Sequence, residues 1–575
     1  MGDLYKKSTK ERFKRLFTHN EDLKKEYRIY SLSEMSCSED ENDFVNNPWE
    51  NGYGGVPISF AGSAANPLNR VYIDHTDAHT LVIGPTGSKK SRLIAMPLVR
   101  ILGNKRANES MIISDPKSEI YKRTASYLEK QGYTIHVINF RSPEYGDRWN
   151  PLHIPYKFYC EGNIDRAYEF VNDISENLIR NSRLDQSDPF WDYSAGSLFF
   201  GLVLLLFKYC KEHKKNTDYI HIGNVVRLRN ELFSTNIKRK TELWEYAKKD
   251  SIIESAMVGT VETANDTRAG ILSVFDQKMR MFSIQPNLLS MLSENTAHID
   301  DLIQSPTAFY LILPDEKTGY HGLAALFIKQ SYEYLIYSAQ QGEGYNFDDG
   351  KLNRRLNYVL DEFSSLPAIS DFPEMITAAR SRNIRFTLII QSKNQLVQRY
   401  KEEAETIQTN CNNWIFLTSR ELPMLKEISE LCGNVSTDSG FVPLLPVSAL
   451  QRLNKSEGEA LVLTNRKKPL ITFLPDITHY DHDNYTIRTL EYRPLKESLL
   501  LSIESFTSPK AQTTDDFLEN VDLDKLIKDI DAKIAELDEE EKRSSKKNDF
   551  RESTPTHSED SKSKISDNSE LKTKE

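Results

Sequence analysis

The octapeptide at positions 84–91 combines the residue types that hold phosphate groups in proteins. It follows an apolar run at 80–83 and consists of Gly84, Pro85, Thr86, Gly87, Ser88, Lys89, Lys90 and Ser91. Between a strand and a helix, such a loop points successive backbone N–H groups at phosphate oxygens. A lysine then reaches the β- and γ-phosphates, and a hydroxyl binds Mg²⁺. The spacing therefore predicts a nucleotide-binding loop, here called the P-loop, with Lys90 on the phosphates and Ser91 on Mg²⁺.

One position of the P-loop departs from the template G-x-x-x-x-G-K-S/T. The second glycine of the template is Lys89 in this chain. Glycine lets the backbone approach phosphate without an intervening Cβ atom. Where the backbone must be left-handed, a non-glycine residue adds roughly 1–2 kcal/mol of strain. Two outcomes stay open: Lys89 crowds the β-phosphate, or it points outward and leaves ATP binding weakened but present.

Two adjacent acids, Asp361 and Glu362, follow a second apolar run at 356–360. In P-loop proteins, an aspartate in this place holds the Mg²⁺ shell and a glutamate activates water. Because both apolar runs are typical of strands of one sheet, we expect the P-loop and the acids to meet across adjoining strands. Together they would share one Mg²⁺ ion.

Polar residues end two further apolar runs. Gln391 follows the run at 386–390, where it is placed to sense the γ-phosphate or position water; a helix cap is the alternative. Asp115, Lys117 and Glu119 follow the run at 110–114, and a catalytic role and a helix cap are both open for this cluster. Ligands of parallel sheets bind at the carboxyl ends of strands, which is where these residues are predicted.

Three arginines, Arg380, Arg382 and Arg385, form a basic segment just before the run at 386–390. One of them is a candidate arginine finger, which would stabilise the transferring phosphoryl group in the site of a neighbouring chain. Ordinary surface salt bridges are the alternative explanation.

Composition limits the class of protein. The chain has 575 residues, 39% of them hydrophobic, and a net charge of -10, which argues against a wholly basic nucleic-acid coat but not against a local basic channel. Its five cysteines include no C-x-x-C pair, which favours a reduced protein without zinc. We predict no signal peptide and no membrane span, because the most apolar run, 198–207, is well short of about 20 residues and favours a buried helix.

Alternating strand and helix patterns predict an α/β fold with a parallel sheet. Helical spacing dominates one internal stretch, which we interpret as an all-α insert. The predicted organisation is a basic helix and linker at 1–55, the nucleotide-binding domain at 56–159 and 301–482, the all-α insert at 160–300, a connector and amphipathic helix at 483–542, and a disordered tail at 543–575.

Several segments together resemble the TraG/TraD-like type IV secretion coupling proteins, the DNA-pumping ATPases of conjugation. They occur in family order over roughly residues 56–480, at 80–91, 110–119, 149–152, 188–191, 356–362, 389–392 and 458–462. The resemblance implies a RecA-like nucleotide-binding domain interrupted by an all-α domain, with ATP and Mg²⁺ as cofactors. It also implies a homo-hexamer that works on single-stranded DNA with an attached relaxase.

The resemblance assigns roles to individual residues. It implies that Glu362 is the general base, that Arg380 is the arginine acting in trans, and that Gln391 is the sensor glutamine. Ser91 and Asp361 would hold the metal. Family members usually carry amino-terminal transmembrane helices, which are not seen here. We therefore expect a cytoplasmic chain, peripheral at the inner face of the cell membrane, that docks through a membrane subunit of the secretion system or through its basic first helix.

Three functions remain to be separated. The first is a coupling ATPase that delivers relaxase-bound single-stranded DNA to the transfer channel. The second is an adapter in which Lys89 has weakened or disabled hydrolysis and which only recruits substrates. The third is a HerA/FtsK-like translocase of double-stranded DNA outside secretion.

Overall fold

The structure is a computed structural model, and it divides the chain into residues 1–506 and 507–575. The residues that it describes all lie in the first unit. They are 44–46, 48–60, 71–180, 188–316, 318–341, 350–437, 440–454, 458–464, 467–480 and 487–502. The predicted basic helix at the start of 1–55, the predicted amphipathic helix at the end of 483–542 and the tail at 543–575 lie outside the described residues.

The strands are numbered in chain order over the described residues. They are β1 (Phe44–Asn46), β2 (Val56–Phe60), β3 (Val71–Asp74), β4 (Thr80–Ile83), β5 (Ser110–Ser114), β6 (Thr134–Asn139), β7 (Thr307–Ile312), β8 (Leu356–Leu360), β9 (Ile384–Ile390), β10 (Asn413–Phe416), β11 (Asn434–Thr437), β12 (Gly440–Pro443), β13 (Glu459–Thr464) and β14 (Leu470–Phe473).

The main sheet has nine strands in the order β14-β13-β10-β4-β9-β8-β5-β7-β6. The seven strands from β10 to β6 are parallel, and β13 and β14 add an antiparallel edge. Every residue of β4, β5, β7, β8 and β9 is buried, as expected for a parallel sheet covered on both faces. The predicted α/β class with a large parallel sheet is confirmed. The sequence did not predict the antiparallel strand β14.

Helices cover the sheet and fill the long connection from β6 to β7. They are α1 (Pro48–Asn51), α2 (Met96–Leu102), α3 (Glu119–Lys130), α4 (His153–Glu161), α5 (Ile164–Ser175), α6 (Pro189–Glu212), α7 (Ile222–Leu232), α8 (Ile237–Ala247), α9 (Ser251–Val261), α10 (Asn265–Ile284), α11 (Pro286–Met291), α12 (Asp301–Gln304), α13 (His321–Gln341), α14 (Phe372–Ala379), α15 (Lys393–Tyr400), α16 (Glu403–Asn410), α17 (Leu422–Leu431) and α18 (Val447–Leu450).

The two faces of the sheet belong to different cores. Alternate residues of a strand point to opposite faces, so Leu81 and Ile83 of β4 join one core, and Val82 joins the other. The first core continues without a break from the sheet into α4 to α12, so the helical connection shares its core with the sheet. Helix α6 is long and apolar enough to cross a membrane, yet most of its residues are buried in this core, as the sequence predicted for 198–207.

Part of the predicted linker at 1–55 is folded. Strand β1 pairs with β3, which pairs with β2, and the three form a small antiparallel sheet. A hydrogen bond of 2.7 Å from Thr472 Oγ1 to Ser59 Oγ connects this sheet to β14. The acidic and Gly-rich composition of the segment carried no strand signal, because pairing with β3 rather than local preference forms β1.

The connector predicted at the start of 483–542 is described over residues 487–502, where it has no helix or strand. It nevertheless lies against the helical region. The backbone N–H of Leu501 donates to Asn224 Oδ1 at 3.0 Å, and Leu499 O lies 2.8 Å from His221 Nε2. This part of the connector therefore belongs to the folded body.

A buried histidine before β4 makes the stability depend on pH. The Phe386 N–H donates to His79 Nδ1 at 3.0 Å, and His79 Nε2 lies 2.8 Å from Ile376 O. Because Nδ1 accepts a hydrogen bond, these contacts hold the imidazole ring in its neutral form. Burial lowers the pKa of His79 to about 4, from 6.5. Because protonation favours the unfolded chain, we expect this contribution to be complete above pH 6.5 and to fall by ~3 kcal/mol as the pH drops to about 4.

Urea unfolding of the parent and of His79→Gln at several pH values checks this expectation. The free energy of unfolding of the parent should fall more steeply below pH 6.5 than that of the variant. Parallel pH profiles would show that His79 is not the group responsible.

Candidate nucleotide-binding site

The P-loop connects β4 to a helical segment that begins with a π-helical turn at Ser91–Ala95 and continues as α2. The loop packs tightly against itself at its first residue, Gly84. A Cβ atom on Gly84 would lie 2.5 Å from Ser88 Oγ, so only glycine fits there. The Ser88 N–H donates to Pro85 O at 3.1 Å, and the tip of the loop at Thr86 and Gly87 is exposed.

Lys89 has a left-handed backbone, with φ of 68°. The sequence therefore identified a real cost at this position, since a residue with a Cβ atom is strained there by roughly 1–2 kcal/mol. The loop keeps its form despite the strain, because Lys89 O accepts the Leu93 N–H at 2.8 Å and starts the helical segment.

Lys90 points into the loop that precedes it. Its Nζ donates to Gly84 O at 2.7 Å and lies 3.9 Å from Glu362 Oε1, and the side chain is only 5% exposed. Burial lowers the pKa of Lys90, while the charges of Glu362 and Asp361 oppose the shift. The ammonium group therefore lies between the loop backbone and the acids, where phosphate oxygens can replace the carbonyl as its partner.

Ser91 and Asp361 meet directly. Ser91 Oγ donates to Asp361 Oδ2 at 2.7 Å, and Ser114 Oγ donates to Asp361 O at 3.1 Å. Burial raises the pKa of Asp361 to about 6, although the hydrogen bond from Ser91 opposes the shift. A hydroxyl beside a carboxylate supplies the hard oxygen ligands that Mg²⁺ takes, so these two residues fit the predicted metal site.

Gln391 joins the P-loop to the acids. Thr86 Oγ1 donates to Gln391 Oε1 at 3.0 Å, and Gln391 Nε2 donates to Glu362 Oε2 at 2.7 Å. These contacts exist because β9 lies between β4 and β8, and Gln391 follows its carboxyl end. The expectation that the P-loop and the acids occupy adjoining strands is wrong: one strand separates them, and its terminal glutamine bridges the gap.

Asp115 lies beside this site but is held by the helix that follows it. Its Oδ2 accepts the Tyr121 N–H at 2.8 Å, the contact expected of a helix cap for α3. Burial raises the pKa of Asp115 to about 7, with a smaller contribution from the charge of Asp361. Lys117 is exposed in the same turn, and its charge acts on Lys90.

The three arginines lie away from the site of their own chain. Arg380 donates to Asp77 Oδ1 at 2.8 Å, before the amino end of β9 and about 20 Å along that strand from Gln391. Arg385 is buried within β9, where it pairs with Glu109 Oε2 at 2.9 Å, so it is not an exposed finger. The sequence could not show this, because a buried arginine needs a partner from a distant part of the chain.

The sequence missed two contacts of the site. Thr86 was predicted only as part of the phosphate loop, and Ser114 only as the end of a strand. Both hydrogen bonds depend on the order of strands in the sheet, which no local pattern of residues specifies.

A sequence model of the family described as "Type IV secretory system Conjugative DNA transfer" matches residues 37–440. The chain belongs to this family. The match includes the P-loop, the acids after β8 and Gln391, and it confirms the resemblance to coupling proteins that the sequence suggested.

Relatives with names agree with the family. The chain is 23% identical over 391 residues to the conjugal transfer protein TraG of Escherichia coli. The alignment covers 64% of this chain and 57% of TraG. It is 24% identical over 185 residues to the type IV secretion system-coupling protein VirD4 of Bartonella quintana (strain Toulouse), covering 32% of this chain and 27% of VirD4. The chain thus spans little more than half the length of TraG.

Solved structures share the fold. The bacterial conjugative coupling protein TrwBdeltaN70 in complex with sulphate has a TM-score of 0.52 at 14% identity, covering 72% of this chain and 88% of that one. TrwB in complex with the ATP analogue ADPNP has a TM-score of 0.50 at 14% identity, with coverage of 73% and 88%. At such identity the likeness supports the mixed α/β fold with its large parallel sheet.

Proposed function

We propose that the chain is the coupling ATPase of a conjugative type IV secretion system and uses ATP hydrolysis to deliver relaxase-bound single-stranded DNA to the transfer channel. The observation that carries the proposal is the contact of 2.7 Å between Ser91 Oγ and Asp361 Oδ2, which brings the P-loop to the acids after β8. Membership of the DNA-transfer family supports the same function, and so does the complex of TrwB, which shares the fold, with an ATP analogue.

The residues of the site divide the work. Lys90 and the loop backbone bind phosphate, Ser91 and Asp361 hold the metal, Glu362 takes the proton of the attacking water, and Gln391 orients Glu362. When bound, Mg²⁺ neutralises charge that develops on the transferring phosphoryl group. The bond from Gln391 to Glu362 leaves Oε1 of Glu362 facing the loop, on the side where a water would be positioned.

Arg380 acts, in this proposal, on the nucleotide of a neighbouring copy in a homo-hexamer. Its place at the amino edge of the sheet supports this role. In a closed head-to-tail ring, one side of each chain faces the opposite side of the next chain.

The helices between β6 and β7 would form an all-α domain inserted in a RecA-like domain. Association with the inner face of the cell membrane would come from a separate membrane subunit or from the basic residues at 1–20.

A second candidate is the adapter that recruits DNA and relaxase with little or no hydrolysis. The left-handed Lys89, with φ of 68°, favours it because a Cβ atom and a side chain stand where the P-loop template has the glycine that lets the backbone approach phosphate. In this candidate the Lys89 side chain crowds the β-phosphate, so we expect Lys89→Gly to raise ATP affinity; the backbone strain of roughly 1–2 kcal/mol acts on folding, because it is the same with and without nucleotide. Fluorescence titration with a labelled ATP analogue measures the change.

Turnover by the same two proteins separates the candidates. Hydrolysis by the parent chain eliminates the strict adapter, whereas hydrolysis that appears only in Lys89→Gly supports it. An unchanged ATP affinity in Lys89→Gly would show that the Lys89 side chain does not crowd the nucleotide.

DNA specificity tests the translocation part of the proposal. ATP turnover should rise with single-stranded DNA more than with double-stranded DNA of the same length. Stimulation only by double-stranded DNA would instead support a HerA/FtsK-like translocase.

A further inference from the structure

A cavity lies at the amino ends of the central strands, opposite the carboxyl ends where the P-loop lies. Its volume is about 760 Å³, within the range of roughly 300–1,000 Å³ found for ligand sites. Residues just before β5, β8 and β9 line it, including Asn108, Arg354 and Asn383, together with Tyr53 and His75. The proposed ATPase chemistry makes no use of this cavity.

The cavity has more cationic than anionic groups. Arg354 donates from Nη1 to Asn108 O at 2.7 Å, while its Nε is buried without an acceptor among the described residues. Glu109 is the carboxylate in the lining, and it pairs with Arg385 at 2.9 Å and with Arg355 at 3.9 Å. Within the described part of the chain, Arg354 has no carboxylate partner; its buried Nε is out of reach of a ligand, and its Nη2 retains N–H donors for an incoming anion.

Arg355, the second cationic residue, is held in place by the protein. Its Nε donates to Asn383 Oδ1 at 3.0 Å and its Nη1 to His75 O at 2.9 Å. These bonds fix the direction of the guanidinium group beside Arg354. Acceptors of the protein occupy N–H donors of Arg355 on two of its nitrogens, whereas Arg354 makes one such bond. Arg354 is therefore the residue able to bind phosphate oxygens, for which the forked geometry of a guanidinium group is suited.

An aromatic pair lies at the mouth of the cavity. The rings of Tyr53 and His75 have centroids 4.6 Å apart, and Tyr53 is 48% exposed. The two rings are tilted by 33°, and the exposed ring of Tyr53 offers a face to a nucleobase. Base stacking on aromatic rings beside a cationic groove is the usual way in which proteins bind single strands without reading their sequence.

We infer that this cavity binds single-stranded nucleic acid, with a phosphate on Arg354 and a base stacked on Tyr53. The inference rests on the proposed function only for the identity of the strand as DNA. The rival occupant is a surface of a second copy of this chain. The observations favour the strand, because a guanidinium donor without a carboxylate partner and an exposed aromatic ring together match one nucleotide.

Fluorescence anisotropy with the full chain and a labelled oligothymidine of about 12 nucleotides, in the absence of ATP, tests the inference. We expect Tyr53→Leu to weaken binding by about 5- to 100-fold, as for the loss of one stacked base. We expect Arg354→Gln to weaken binding and to reduce the slope of log affinity against log salt by about 0.7, the loss of one phosphate contact on a single strand.

Matched variants control for folding and for general charge. Tyr53→Phe retains the ring and should bind like the parent, and Arg354→Lys should retain the salt slope. Arg166→Gln removes an exposed arginine on α5 that pairs with Glu169, and it should leave both quantities unchanged. Parent-like affinity and slope in both Tyr53→Leu and Arg354→Gln would overturn the inference.

Crosslinking gives a readout that does not depend on any variant. An oligonucleotide with 5-iodouracil should crosslink to Tyr53 of the parent chain, as mapped by mass spectrometry. Crosslinks confined to other regions would overturn the inference. So would an Arg354→Gln variant that loses self-association but binds the oligonucleotide normally, because the cavity would then belong to a contact between copies.

The parent chain separates this inference from the proposed function. A parent that crosslinks at Tyr53 but hydrolyses no ATP under any condition retains the nucleic-acid site and loses the ATPase. A parent that hydrolyses ATP but shows no crosslink at Tyr53 retains the ATPase and loses the site.

Discussion

Glu362→Gln is expected to lower ATP turnover by about 10²- to 10⁴-fold, the usual contribution of a general base. The variant keeps the size and polarity of the side chain, and its amide oxygen can still accept the hydrogen bond that Gln391 Nε2 now donates at 2.7 Å. It loses only the negative charge that takes a proton from water. Steady-state phosphate release with saturating ATP and single-stranded DNA measures the effect.

Nucleotide binding should survive in Glu362→Gln, because the phosphate contacts come from the loop. A labelled ATP analogue should therefore bind the variant at least as tightly as the parent. Glu169→Gln, which changes an exposed carboxylate on α5, is the matched control and should hydrolyse ATP at the parental rate. Equal turnover in Glu362→Gln and the parent would refute the assignment of the base.

Lys90→Met is expected to weaken ATP binding by roughly 10- to 150-fold, since a hydrogen bond to a charged group contributes about 1.5–3 kcal/mol. The ammonium group is almost fully buried and lies 2.7 Å from Gly84 O, at the centre of the loop. Methionine fills the same space without the charge. Equilibrium titration with a labelled ATP analogue and Mg²⁺ measures the loss.

The neighbouring lysine supplies a control within the same loop. Lys89→Met removes one positive charge but keeps the left-handed backbone, with φ of 68° in the parent. It should reduce ATP affinity much less than Lys90→Met. If the two variants lose affinity equally, the loop acts through its total charge, and the specific role of Lys90 is wrong.

The sequence predicted the parts of the fold that depend on local patterns. Continuous apolar runs predicted β4, β5, β8 and β9, because strands buried on both faces carry no polar alternation. The P-loop motif placed Lys90 and Ser91 together, since both belong to a single turn. The family resemblance, which depends on several such segments in order, is also confirmed.

Local sequence patterns did not predict the order of the strands in the sheet. The insertion of β9 between β4 and β8 decides that Gln391, rather than direct adjacency, connects the P-loop to Glu362. The burial of Arg385 against Glu109 and the pairing of β1 with β3 have the same cause. Each depends on a partner far away in the chain, and spacing along the sequence carries no information about such a partner.

The measurement that tests the nucleotide site most directly is the binding of ATP to the purified chain in the presence and absence of Mg²⁺. The geometry of Lys90, Ser91 and Asp361 predicts one saturable site per chain, with tighter binding when Mg²⁺ is present and no such gain in Asp361→Asn. A parent chain that binds no ATP, or whose ATP affinity does not respond to Mg²⁺, would contradict it.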